Sequence, residues 1–173
     1  EQGLRAAIGR PAAARGYPLP EAVIDSLVDQ ARDNPGALPL VQHALYRFWR
    51  RLEAAEDAAG RTAALTVLRD IGPAMAREAD ERMTALDEAA RAIAWRVFMS
   101  SVQLGEGVTD TKRRVRLREV LPEGADEAAL RRAIEPFVEE RLLSLGAEPD
   151  APDTAWVEIS HEALILHWRA LRD

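Results

Sequence analysis

A histidine lies at the junction of a strand-like run and a helical run near the end of the chain. Residues 155–159 form a short strand-like run, and a helical apolar pattern begins immediately after His161. The first turn of a helix carries free backbone N–H groups and the positive end of the helix dipole, and both attract phosphate. His161 is therefore either a phosphate-contacting residue or a helix-start residue whose ring packs under the strands. Spacing alone leaves both interpretations open.

A proline lies one turn into an apolar helical run in the first half of the chain. The segment is Gly36-Ala37-Leu38-Pro39-Leu40. Proline is tolerated in the first turn of a helix because its missing N–H has no helical partner there. The segment predicts a helix start with favourable turn chemistry, and it could equally supply an apolar wall for a flat ring such as adenine.

One basic cluster covers residues 112–118 and includes Arg113, Arg114 and Arg116, together with Lys112. It is either a solvated strand edge protected by charge, or a contact surface for nucleic-acid phosphates or an acidic partner. The next helix carries charges of both signs, so it does not decide between these possibilities. Those charges are Arg131 and Arg132, which favour DNA binding, and Glu135, Glu139 and Glu140, which oppose it.

Several kinds of catalytic site are excluded by what the sequence lacks. It contains neither a Walker A loop nor a Gly-x-Gly-x-x-Gly motif, so the chain alone cannot cradle a triphosphate by either device. It has no cysteine, and its histidines are not spaced as metal ligands, so we expect no metal site and no catalytic residue. We interpret His43 and His167 as surface or packing residues. The carboxylate pairs at 80–81 and 139–140 are expected on solvated helix faces.

The composition sets further bounds. The 173 residues are 47% hydrophobic and 30% charged, which is enough for one domain or two small ones. The net charge of −6 argues against bulk nucleic-acid binding. No apolar stretch approaches the length that crosses a bilayer, and the start does not resemble a signal peptide. We therefore expect a cytoplasmic fragment of a larger protein.

Helical periodicity dominates the first half of the chain. Predicted helices cover 4–8 (stopped near Gly9 and Pro11), 21–31, 38–52, 66–71, 74–86 and 88–102, with a loop at 56–64 and a turn at 33–36. Asp87 is the predicted N-cap of the last of these helices, which the glycine-containing segment 104–107 ends.

The second half predicts a different order of elements. A short strand at 114–117 precedes a helical turn at 118–121 and a helix at 125–145 that Pro136 kinks or begins. A hairpin of 143–147 and 155–159 follows, with a loose tip between them. This order is typical of a winged helix. The predicted fold is mainly α, with a helical, lid-like subdomain over residues 1–86 and a winged-helix domain with a small β-hairpin wing over residues 87–173.

Three separated motifs, in this order, resemble the novel STAND NTPases of bacteria, signalling ATPases related to NACHT and NB-ARC proteins. The motifs are Gly36-Ala37-Leu38-Pro39-Leu40-Val41-Gln42-His43-Ala44-Leu45, then Gly105-Glu106-Gly107 with Asp110-Thr111-Lys112-Arg113-Arg114-Val115, then Val157-Glu158-Ile159-Ser160-His161-Glu162-Ala163-Leu164-Ile165 with Trp168. Proteins of this family are often fused to WD-type propeller repeats or other repeats. The resemblance runs over nearly the whole chain.

The resemblance implies specific roles for residues of this chain. In the family, a P-loop ATPase domain precedes a helical subdomain and a winged helix, and this chain is similar to the latter two. The family's adenine-contacting proline corresponds to Pro39, with Gly36 and Leu38 shaping the turn. The histidine that contacts the ADP β-phosphate in the related NB-ARC proteins corresponds to His161, although Ser160 and Glu162 replace the methionine and aspartate around it.

The resemblance also implies the cofactor and the partners. ADP or ATP with Mg would bind in the full-length parent protein, and no cofactor is expected on this chain alone. The partners are an upstream P-loop domain and a downstream repeat domain of the same protein, with a homo-oligomer on activation and no membrane. Nucleic acid is not expected, although a DNA-binding winged helix from a transcriptional regulator is the main alternative. A plain protein-interaction module is the third possibility.

Overall fold

The computed structural model describes residues 2–32, 37–71, 73–105, 110–121, 126–148 and 151–172. These residues are mainly helical, with two small antiparallel sheets. They form two compact units, residues 1–74 and 75–173. That division falls before the boundary predicted near residue 86, because the helix from Ala74 to Ala85 belongs almost entirely to the second unit. The assignment of a lid-like subdomain and a winged-helix domain stays a prediction.

The elements follow one another along the chain as ten helices and five strands among the described residues. They are α1 (Gln2–Ala14), α2 (Glu21–Arg32), α3 (Ala37–Glu53), α4 (Ala58–Leu65), a 3-10 turn (Thr66–Leu68), α5 (Ala74–Ala85), α6 (Glu88–Ser100), β1 (Val102–Gln103), β2 (Thr111–Lys112), β3 (Val115–Arg116), α7 (Leu117–Val120), α8 (Glu127–Glu139), β4 (Leu143–Glu148), β5 (Ala151–Ile159), α9 (Glu162–His167) and α10 (Arg169–Arg172).

The first helix is longer than predicted. Helix α1 continues through Gly9 and Pro11 to Ala14, so the predicted stop was wrong. Ile8 and Ala12 lie one turn apart on its buried face, and burial there outweighs the cost of the proline. A Cβ on Gly9 would lie 3.1 Å from Cδ1 of Ile24, so the glycine allows α2 to approach closely.

The stretch predicted as a loop at 56–64 contains a helix instead. Asp57 is the N-cap of α4, and its carboxylate accepts a 2.7 Å hydrogen bond from the N–H of Gly60. Alanine is the strongest helix former, which offsets the glycine inside this helix. The helix predicted at 66–71 is only a 3-10 turn after α4.

Helices α2 and α3 supply most of the core of the first unit. Helix α2 buries Ile24, Leu27 and Val28, as its apolar stripe predicts. Helix α3 begins at Ala37 and contributes Leu40 and Phe48 to the same core. The predicted turn before it, at 33–36, lies outside the described residues.

Helix α6 of the second unit begins at the predicted N-cap but ends earlier than predicted. Asp87 accepts a 2.8 Å hydrogen bond from the N–H of Ala90, which confirms the N-cap. The predicted end of this helix was wrong, because α6 stops at Ser100 and Val102 then pairs with Lys112 in an antiparallel ladder. Buried Ser101 is the C-cap, and its hydroxyl donates to the carbonyl of Val97.

The three-stranded sheet has the order β3-β5-β4, and both ladders are antiparallel. The predicted hairpin is confirmed, with Leu143 opposite Ile159 and Leu145 opposite Val157. A Cβ on Gly146 would lie 2.3 Å from Cζ2 of Trp156, so only glycine leaves room for that ring. The predicted strand at 114–117 is shorter, because Leu117 already begins α7.

Helix α8 ends before the predicted 145. Arg141 adopts a left-handed backbone with φ of 57°, and the N–H groups of Arg141 and Leu142 bond to the carbonyls of Val138 and Phe137. These bonds form a Schellman motif without glycine. Pro136 lies near the end of α8 and is not its start, which is Glu127. Leu142 is buried as predicted, but beyond the helix.

Trp168 joins the last two helices to the rest of the second unit. Its buried ring stacks on Trp95 with centroids 5.0 Å apart, and it meets Phe98 edge-on. Its indole N–H donates a 2.7 Å hydrogen bond to Asp80 on α5. The chain end is therefore held by one aromatic anchor between α9 and α10.

Candidate functional site

His161 lies at the predicted junction between a strand and a helix. Its backbone is extended, with φ of −137° and ψ of 129°, directly before α9. Ile159 and Leu164 on either side are fully buried, and they fix where the chain leaves the sheet and enters the helix. The half-buried imidazole makes no capping hydrogen bond to α9 within the described part of the chain, so it is not a conventional N-cap.

Two hydrogen bonds hold the junction against the preceding strand. The N–H of Ser160 donates to the carbonyl of Leu142 at 2.9 Å. The hydroxyls of Ser160 and Ser144 lie 2.8 Å apart, within hydrogen-bond distance. The backbone that carries His161 is thus anchored to the start of β4, which limits how far the imidazole can shift relative to the sheet.

Lys112 is a cation that contacts this junction. Its ammonium donates to the carbonyl of Ser160 at 3.2 Å and approaches a carboxylate oxygen of Glu158 at 3.5 Å. Burial lowers the pKa of His161 below its ordinary value, and the positive charge of Lys112 lowers this pKa further. The ring is therefore neutral at pH 7, with one N–H donor and one acceptor nitrogen.

The predicted basic cluster is divided among separate partners. Arg113 donates to the carbonyl of Ser100 at 2.7 Å. Arg114 forms a 2.9 Å ion pair with Glu158, and its guanidinium lies 4.0 Å from the centroid of the Trp156 ring. Arg116 is exposed on β3. Arg114 and Arg116 line one pocket together with Trp156, while Arg113 bonds elsewhere, and the predicted phosphate or partner contact of this cluster stays a prediction.

The proline segment lies at the start of α3 in the first unit. Pro39 is half-buried in the first turn, as predicted, and Leu38 is 55% exposed. An exposed leucine beside a proline is an apolar surface suited to a flat ring, although one exposed leucine is common on any protein. Gly36 lies outside the described residues.

The sequence missed the role of Lys112 at this junction. The sequence indicates only that Lys112 belongs to a basic cluster with the arginines. The pairing of β2 with β1 is what directs Lys112 toward Ser160. The available signal was that Lys112 is the only lysine among 23 basic residues. That count alone reflects coding bias as readily as function.

One carboxylate predicted on a solvated face is buried. Glu140 is 8% exposed and forms a 2.9 Å ion pair with Arg82. Arg82 also forms a 2.7 Å ion pair with buried Glu78. Sequence pattern places Glu140 at the end of a helix, but the turn at Arg141 directs it inward. His43 is buried in α3, in agreement with a packing role.

Neither a metal-binding cluster nor a membrane-spanning helix occurs in the described part of the chain. No group of three or more histidine and carboxylate side chains there could hold a metal ion. Among the helices of those same residues, none has the length and apolarity needed to span a bilayer.

Comparison with known proteins identifies the family. No curated protein and no solved structure matches the chain. A family model described as novel STAND NTPase 1 matches residues 1–173, the entire sequence. Together with the proline segment, the Lys112 segment and the His161 junction, that match shows that the chain belongs to the novel STAND NTPase family.

Proposed function

We propose that this chain is the regulatory helical and winged-helix region of a STAND signalling ATPase. It closes over ADP or ATP held by an upstream P-loop domain and couples nucleotide state to downstream sensor repeats. The observation that carries the proposal is the position of His161 at a strand–helix junction in a chain of this family. The proposed setting is cytoplasmic, with homo-oligomerisation on activation.

The order of elements in the second unit supports a winged helix. Helix α6, strand β3, helices α7 and α8, and then the β4–β5 hairpin follow in sequence. Strand β5 lies between β3 and β4, so the hairpin forms the wing. In this arrangement α9 follows the wing directly, and His161 lies where the wing returns to the helices.

The residues at the junction suit contact with a phosphate. A neutral imidazole offers one N–H donor, and its half-buried position leaves part of the ring accessible to an anion. A bound diphosphate supplies negative charge and hydrogen-bond acceptors. A hydrogen bond to a charged group stabilises by about 1.5–3 kcal/mol, which is enough to bias a two-state domain arrangement.

In this proposal, the closed arrangement is favoured because His161 contacts the nucleotide in the closed state and not in the open state. If His161 contacts the terminal phosphate only in the closed arrangement, that contact stabilises the closed state and none of it remains in the open state. Exchange of ADP for ATP would alter the phosphate position and release the proposed winged helix by a hinge motion. Pro39 and Leu38 form the adenine wall in this proposal. The chain itself supplies no catalytic residue, and Mg would accompany the nucleotide in the parent protein.

Calorimetry with ADP tests the proposal. The chain alone should bind ADP very weakly, because it contains no phosphate-cradling loop. The full-length protein should bind ADP more tightly than the same protein with this region deleted. Equal ADP affinity with and without the region would contradict the proposal, as would tight binding of ADP by the chain alone.

The DNA-binding alternative is weaker because two key arginines are already paired. Arg131 bonds to Glu127 at 2.6 Å, and Arg114 bonds to Glu158. A gel-shift at varied salt distinguishes the two, since phosphate contacts with DNA give steep salt dependence. Absence of binding at low salt would exclude the alternative.

A further inference from the structure

We propose that Lys112 is a second phosphate-contacting residue at this junction, and that Lys112 and His161 together receive the terminal phosphate of a nucleoside diphosphate. The inference rests on the proposed function, because it adds a residue to the same site. It changes the chemistry of that site, since the positive charge comes from a lysine on β2 and the histidine contributes an uncharged donor.

The geometry places the ammonium beside the junction. Strand β2 is paired with β1, so Lys112 lies opposite Val102. From there its side chain reaches the carbonyl of Ser160, the residue immediately before His161. Helix α9 also packs against β2, which keeps the lysine and the histidine on neighbouring elements of one unit.

The local charge balance favours an anion. Glu158 is the carboxylate that Lys112 contacts, and it is shared with Arg114. Lys112 and Arg114 share this one carboxylate, so these three side chains together carry one net positive charge. Glu162, the first residue of α9, is exposed, and Arg113 binds the carbonyl of Ser100. Lys112 is thus the cation whose charge acts on His161, in a chain whose net charge is −6.

The ammonium has capacity for a further acceptor. A lysine ammonium carries three N–H donors, and Lys112 directs them toward two partners in the described structure, Ser160 and Glu158. Its side chain is 31% exposed, so an incoming anion can reach it. Lysine commonly binds phosphate as a point charge. The lowered pKa of His161 is consistent with this arrangement, because Lys112 is one of its causes.

The experiment is a titration of the chain with inorganic pyrophosphate at constant ionic strength, followed by NMR. We expect saturable shifts of the Lys112, Ser160 and His161 backbone amides in the millimolar range. Lys112→Gln should weaken this binding about tenfold, as loss of a charged hydrogen bond predicts. Lys112→Arg should retain it. Arg118→Gln, which changes an exposed arginine of α7, is the matched control for loss of a positive charge.

A second measurement needs no variant. Lys112 is the only lysine, so an amine-reactive ester labels one side chain, which peptide mapping separates from the α-amino group. Pyrophosphate should slow this labelling, while sodium chloride of equal ionic strength should not. Equal labelling rates with and without pyrophosphate would overturn the proposal, and so would equal pyrophosphate affinities of wild type and Lys112→Gln.

The source of the phosphate is tested in the same titration. A DNA duplex that shifts these amides at lower concentration than pyrophosphate would contradict a nucleotide as the ligand.

Failure of the Lys112 inference leaves the proposed function standing if deletion of this region still weakens ADP binding. If the pyrophosphate test fails and deletion of this region leaves ADP binding unchanged, the junction is not part of a nucleotide site.

Discussion

The imidazole of His161 is held neutral by two features of its surroundings. Burial penalises the charged ring, and the ammonium of Lys112 repels a second positive charge. Both effects favour the neutral form of the ring, which has one N–H group available as a donor. A phosphate at this junction would meet a neutral donor from one residue and a cation from another.

The pKa of His161 should lie below 6.5, its ordinary value. Because the folded state then binds fewer protons than the unfolded state, the free energy of unfolding falls as the pH decreases below that value. Lys112→Gln should raise the pKa of His161, but burial, the larger cause, should keep it below 6.5. NMR titration of the ring measures both effects, with Arg118→Gln as the control. A pKa of 6.5 or more in the unmodified chain would contradict the prediction.

At the scale of elements, local capping signals were predictable and tertiary effects were not. Asp87 and the hairpin were correctly predicted because a side chain or an alternating pattern specifies each. The extension of α1 through Pro11 depends on burial against α2, which no local pattern reveals. The end of α8 depends on Arg141 in a left-handed conformation, where sequence rules expect glycine.

Gly146→Ala should destabilise the hairpin. The added methyl would lie 2.3 Å from the Trp156 ring, so the indole must move away and disturb its stacking with Arg114. Overpacking of this kind costs about 1–3 kcal/mol in unfolding free energy. Urea denaturation followed by tryptophan fluorescence measures it. Gly3→Ala, where a Cβ meets nothing within 4 Å, is the control and should be neutral or stabilising, because alanine is favoured over glycine in helix α1. Equal effects of the two substitutions would contradict this account.

Trp168→Phe should loosen the attachment of α9 and α10. Phenylalanine keeps an aromatic ring beside Trp95 but loses the hydrogen bond to Asp80, at a cost of about 1–2 kcal/mol. Asp80→Asn keeps an acceptor oxygen and should cost less than Asp80→Ala. Hydrogen exchange of the α9 amides measures the attachment. Unchanged exchange in both Trp168→Phe and Asp80→Ala would show that other contacts hold this end.

At the scale of the whole molecule, the sequence predicted the family more accurately than it predicted the bounds of the individual helices and strands. The family is shown by a match over residues 1–173, and its motifs fall in both compact units. The residues proposed to contact nucleotide are divided in the same way, with Pro39 and Leu38 in the first unit and His161 in the second. Lys112 could not be predicted as part of the site, because only strand pairing brings it to Ser160.

The most direct test is the ADP dissociation constant of the full-length protein carrying His161→Ala. We predict that ADP affinity falls about tenfold, as loss of a hydrogen bond to a charged phosphate requires, and that basal activation rises. His167→Gln, at the other end of α9, is the matched control and should leave ADP affinity unchanged. An unchanged ADP affinity together with unchanged basal activation in His161→Ala would contradict the central claim.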